Sequence, residues 1–111
     1  MSPVEKNRAF LTLILTTTNR QQAIALLETS TPLQIDALSE LAIHLPALKV
    51  GHRARVVLER RHSVLSYLSK TKISKTKKLE HIRRHRIALL EILTSVKEPL
   101  LKVLNKLQDE D

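Results

Sequence analysis

A single glycine, Gly51, serves the whole 111-residue chain. Tight hairpins draw on glycine for their positive-φ positions, so a chain with one such residue is poorly equipped to reverse many strands. The apolar residues point the same way. They make up 42% of the sequence and are almost all Leu, Ile, Val and Ala, with Phe10 and Tyr67 the only aromatics. That fraction argues against disorder and favours helices packed through aliphatic stripes. The length supports one hydrophobic core but not two. The expected fold class is therefore all-α: a compact bundle of five to six helices forming one domain over residues 1–111.

Punctuation along the chain predicts where the helices start. Pro3 suits a first turn, and Phe10, Leu11, Leu13, Ile14 and Leu15 make a short apolar helix that stops in Thr16-Thr17-Thr18, where β-branched residues weaken it. Asn19, with Gln22 three residues on, resembles a cap for a second helix carrying Ala23, Ile24, Leu26 and Leu27. Thr31-Pro32-Leu33-Gln34 supplies a cap, a proline at the first helical position and a Gln at the third, the strongest start signal in the chain. Leu38, Leu41, Ala42 and Leu45 then share one face, and Pro46 ends the helix. After a turn at Gly51, a fourth helix is expected from about residue 53 to 69, with Val57, Leu58, Val64, Leu65 and Leu68 turned inward. Ser74 caps a long fifth helix along Leu79, Ile82, Leu89, Leu93 and Val96. Pro99 kinks or restarts it, and Leu100, Leu101, Val103, Leu104 and Leu107 continue to an acidic tail at residues 109–111.

Charge is distributed very unevenly over this pattern. Residues 49–86 hold 13 of the 19 Lys and Arg against two acids, Glu59 and Glu80, a local net charge of +11. Residues 1–48 have three basic and four acidic residues, and residues 87–111 three and five. Concentrated like charge destabilises a compact state, so a block of this kind is a sign of a polyanionic partner.

Other chemistries find little support. The chain has no Cys, which excludes disulfides and thiol catalysis. His81 and His85, four apart, would share a helix face as metal ligands do, but Arg83, Arg84 and Arg86 would repel a cation. No Ser or Thr sits in a Gly-flanked elbow, Asp36 and Glu40 read as a solvated helix face, and there is no Gly-rich phosphate loop. A non-enzymatic protein without metal or cofactor is expected. The longest uncharged stretch, residues 9–19, is too short to cross a bilayer, and the start MSPVEKNRAF carries an acid and no signal-peptide cleavage pattern. The expected setting is intracellular, in a nucleus or virion, with no stable membrane insertion.

The basic block predicts nucleic-acid binding, duplex DNA before RNA. The residues expected to meet phosphates are Arg53, Arg55, Arg60, Arg61, Lys70, Lys72, Lys75, Lys77, Lys78, Arg83 and Arg84, with counterion release as the driving force. No Asn or Gln lies within residues 49–86 to read adenine edges, and Tyr67 alone makes no stacking platform, so base preference is expected to be slight. Protonation of His52, His62, His81 and His85 near pH 6 should tighten binding modestly. A helix-turn-helix, with residues 32–45 preceding a recognition helix near Gly51, would need a turn shorter than residues 44–51.

Three stretches together carry a family resemblance. The run Phe10-Leu11-x-Leu13-Ile14-Leu15-Thr16-Thr17 is followed by Gln22-x-x-Ala25-Leu26-Leu27-x-Thr29-x-Thr31-Pro32-x-Gln34-x-x-Ala37-Leu38-Ser39-Glu40, then by the Lys/Arg-rich stretch and a Leu-rich end. This order resembles short basic helical proteins encoded by Maverick/Polinton-like elements and adintoviruses. Its specific part is residues 22–40. Those proteins often carry a Gly-Gly-Phe-type apolar stretch near the end, where this chain has Ala88-Leu89-Leu90-Glu91-Ile92-Leu93. The resemblance implies a virus- or transposon-derived origin and a virion-core or genome-condensing role, and it assigns no site residues. The alternative expectation is a helical protein–protein interaction module, self-assembling as a homo-oligomer or acting as a death-fold-like adaptor. A membrane-active reading, with the helical stretch 75–107 lying on anionic lipid, is weakened by Pro99 and the acidic tail.

Overall fold

Side-chain caps set where several helices begin. In the computed structural model, which describes residues 2–109 and the side chains of residues 2–106, Ser2 Oγ accepts from the Glu5 amide at 3.2 Å and Pro3 opens α1, Pro3–Lys6. Asn7 turns the chain: its side-chain amide donates to the carbonyls of Pro3 (3.0 Å) and Leu33 (3.1 Å). Helix α2, Arg8–Thr16, ends in the threonine run as its β-branched residues predict. Asn19 caps α3, Arg20–Glu28, by accepting from the Gln22 amide at 3.1 Å. The Gln22 side chain accepts instead from Thr17 Oγ1 at 2.8 Å, so this cap is one-sided. The start of α4, Pro32–His44, is a complete capping box. Thr31 Oγ1 accepts from the Gln34 amide at 3.2 Å and Gln34 Oε1 accepts from the Thr31 amide at 2.9 Å.

A 3-10 turn, Leu45–Ala47, holds Pro46 and ends α4. Carbonyls left over at this end are taken by Arg55, whose guanidinium donates to Pro46 O and Leu48 O, both at 2.8 Å. The predicted fourth helix is present but bent, as α5, His52–Arg60, and α6, His62–Ser69. Ser74 caps α7, Lys75–Arg84, by accepting from the Lys77 amide at 3.3 Å. What reads as one long fifth helix continues through two more bends into α8, Arg86–Ser95, and α9, Lys97–Asp109.

These bends, with the break at Asn7 that parts α1 from α2, account for nine α-helices among the described residues where five to six are expected. At Arg61, His85 and Val96 the backbone leaves the helical well (φ −100 to −112°, ψ 10 to 26°) while amide bonds to the fourth preceding carbonyl persist, as in His85 N to His81 O at 2.9 Å. Pro99 explains the last bend. It has no N–H for Ser95 O and its ring crowds that carbonyl, so the helix yields three residues upstream and Pro99 falls in the first turn of α9. Neither Pro nor Gly stands at or just after Arg61 and His85.

Helix α4 occupies the middle of the molecule, packed against α1, α6 and α7. Helix α8 lies between α5 and α3, and α2 packs on α9. One aliphatic core joins them, from Leu11 and Ile14 through Ile35, Leu38, Leu41, Leu58 and Leu68 to Ile82, Ile92, Val96 and Leu104. The inward set expected in the fourth helix is buried except for Val57, which is half-buried. In the final stripe Leu100 and Leu104 are buried and Val103 is exposed; the Leu107 side chain and the tail beyond Asp109 lie outside the described residues. No described helix is long and apolar enough to cross a membrane.

Candidate nucleic-acid interface

The basic block is not a separate appendage. Residues 49–86 contribute Ala54, Leu58, Val64, Leu65, Leu68 and Ile82 to the core, so most of its cations ride on the outer sides of core helices. On α7 the inner side is set by Ile82, fully buried, and by Lys78 one turn earlier. Residues 76, 77, 80, 83 and 84 fall on the opposite side and are exposed, as helical spacing requires. The turn 70–74 leads into this face.

The eleven cations expected at the interface divide by what they touch. Arg53, Lys70, Lys72, Lys77 and Arg84 are exposed and have no hydrogen-bond or ion-pair partner among the described residues. Lys75 Nζ lies 3.0 Å from Asp36 Oδ2, and Arg60 and Arg61 both reach Glu91 Oε1. Arg83 Nε donates to Glu28 O at 2.9 Å. Arg86, outside the expected set, is also exposed; it pairs with Glu28 at 3.4 Å and donates to Arg83 O. Exposed pairs of this kind add little to stability and leave their cations open to another anion. Glu91 shows the local field: hydrogen bonds from Arg60, then from Arg61, hold its carboxyl below the usual range.

Two expected residues have inward duties. Lys78 is buried, with its ammonium donating to Ser39 Oγ at 3.0 Å, which in turn donates to Ile35 O at 2.9 Å. Burial pushes its pKa down, against the pull of Asp36 and with a smaller push from Lys75. It is a strut between α7 and α4 and cannot meet a phosphate. Its place follows from spacing: it precedes Ile82 by four residues, on the core side of the helix. Arg55 is spent on the turn after α4. The helix-turn-helix is absent too, because α5 packs chiefly on α8.

His81, four residues after Lys77 on α7, turns toward α6. Its ring stacks on Tyr67 with centroids 4.2 Å apart, and Nε2 lies 3.1 Å from Val64 O. Burial pushes its pKa down; the Val64 carbonyl opposes this, and His85 and Arg84 reinforce it. The Tyr67 ring is thereby occupied. Among the described residues, no three His, Cys, Asp or Glu side chains converge as metal ligands would.

The start of α7 is electrostatically awkward for a helix. Lys75, Lys77 and Lys78 crowd its first turn, which holds no acid, although the positive end of the helix dipole favours acids there. An external anion would relieve that repulsion. The architecture defines a class, an aliphatic all-α bundle with a basic outer helix. No protein-family model, curated protein or solved structure matches the chain.

Proposed function

We propose that the protein binds duplex nucleic acid without reading sequence, through the turn 70–74 and the outer face of α7, and performs no catalysis. Four cations with no internal partner, Lys70, Lys72, Lys77 and Arg84, carry the reading. Lys75 and Arg83 border them and are held only by surface contacts. Lys75 and Lys77, exposed in the first turn of a capped helix, weaken that helix start and strengthen its attraction for anions. The exposed residues of this face include no Asn, Gln or free aromatic ring, so phosphate contact is what the surface offers. The resemblance to proteins of Maverick/Polinton-like elements and adintoviruses gives this activity a natural setting, genome condensation in a virus- or transposon-derived particle.

Fluorescence anisotropy with random-sequence duplex DNA across a salt series tests it. Four to six phosphate contacts give a log–log slope of about −4 to −5, a fall in affinity on the order of a hundredfold to a thousandfold between 50 and 200 mM salt. The Lys70→Glu/Lys72→Glu/Lys77→Glu variant should flatten the slope by about three. It should melt no lower than the parent, because an acid at position 77 favours the helix start. Lys78 is left intact, since a carboxylate there would be buried. Absence of binding at low salt by the folded protein would overturn the proposal.

A further inference from the structure

An open groove of about 700 Å³ lies apart from the α7 face, and none of Lys70, Lys72, Lys77 or Arg84 lines it. Its floor is the outer side of α8. Ile87 and Leu90 recur there at helical spacing, Ile87 is 47% exposed, and Val57 of α5 flanks them. An apolar strip left open between two packed helices is a surface waiting to be covered. Three cations rim it, each from the first turn of a different helix: Arg20 of α3, Arg53 of α5 and Lys97 of α9. None has a hydrogen-bond or ion-pair partner among the described residues. The one carboxylate lining the groove, Glu91, is already held by Arg60 and Arg61.

These features select the occupant. A phosphate backbone would satisfy the rim and leave Ile87, Leu90 and Val57 facing nothing apolar. A fatty-acid anion would cover the floor but bring one charge to three cations. An amphipathic helix with acidic flanks does both: apolar residues three and four apart meet the floor, and carboxylates beside that stripe meet the rim. We propose that this groove docks an acidic amphipathic helix of a partner protein, at a site separate from the nucleic-acid face.

The probe is a fluorescent synthetic peptide about four helical turns long, Leu/Ile-striped and flanked by Asp and Glu, with a scrambled peptide of the same composition as control. Binding to the full chain should weaken about tenfold or more in Arg20→Glu/Lys97→Glu and in Ile87→Asp. Both variants should keep the parent's circular dichroism and nearly its affinity for duplex DNA at moderate salt. Ile87 is exposed, so its replacement leaves the core untouched. Equal binding of the scrambled peptide, or peptide binding that survives Ile87→Asp, would overturn the proposal by reducing it to bulk charge attraction. Failure of the striped peptide to bind would also overturn it, and self-association lost in Ile87→Asp would then assign the groove to a second copy. Neither outcome depends on whether the α7 face binds DNA.

Discussion

Helices α4 and α7 pack against each other and are built on opposite principles. Helix α4 buries Ile35, Ala37, Leu38, Ser39, Leu41 and Ala42 and starts in a two-bond capping box. Helix α7 buries Ile82 and Lys78, half-buries Leu79, and starts at a one-bond cap among lysines. Two polar links join them, Lys78 to Ser39 and Lys75 to Asp36. The first is held by its own apolar face. The second is tied down at few points and keeps its outer side for another molecule, as surfaces that bind are commonly drawn from the less stable parts of a fold.

The hardest test of this contrast truncates one isoleucine in each helix. Ile35 and Ile82 are both fully buried, so replacement by Ala should destabilise the chain by about 2–5 kcal/mol in either case. The distribution of the loss should differ. With Ile35→Ala, amide exchange should quicken throughout the core, whereas Ile82→Ala should release α7 first because little else apolar holds it. Uniform acceleration after Ile82→Ala would show that α7 is as firmly integrated as α4.

A finer comparison lies at the helix starts. Thr31→Ala removes one bond of a reciprocal box and leaves Gln34 to bond alone, a loss of about 1–2 kcal/mol. Ser74→Ala removes a single 3.3 Å bond at an end already opposed by like charge, a loss of about 0.5–1 kcal/mol. Urea denaturation of the two variants gives the order directly, and a reversed order would mean that the α7 cap offsets the lysine repulsion more strongly than its geometry indicates.

Which parts were legible in the sequence follows from the same distinction. The starts at Asn19, Thr31 and Ser74 are local chemistry, written in three or four adjacent residues, and all three form. The bends at Arg61 and His85 have no such local sign; tertiary packing turns α6 from α5 and α8 from α7 toward different neighbours. Within the basic block, composition marks charge and leaves direction open. Lys77 and Lys78 are adjacent and alike, yet one is exposed and the other buried. The spacing from Lys78 to Ile82 carried that information, and the run of positive charge masked it. Arg20 and Lys97 lie outside the block and come beside Arg53 only because α3 and α5 both pack on α8, whose end leads into α9.

The smallest effect concerns His81, at the seam between α7 and α6. Burial lowers its pKa, and the Val64 carbonyl, His85 and Arg84 modify the shift. For a base whose folded pKa lies below its unfolded value, about 6.5, the unfolded chain takes up the proton first as pH falls. His81 therefore contributes stability that is present above about pH 6.5 and lost progressively below it. The melting temperature should decline between pH 7 and pH 5, and His81→Gln should reduce that decline. The same shift changes the expectation for binding. With its pKa lowered by burial, His81 takes up a proton less readily than an unperturbed imidazole and adds correspondingly little to the surface charge on acidification. His81→Gln should leave the pH dependence of DNA binding intact. If it abolishes that dependence instead, the inner seam of α7 belongs to the interface, and the division of this helix into a structural side and a binding side fails.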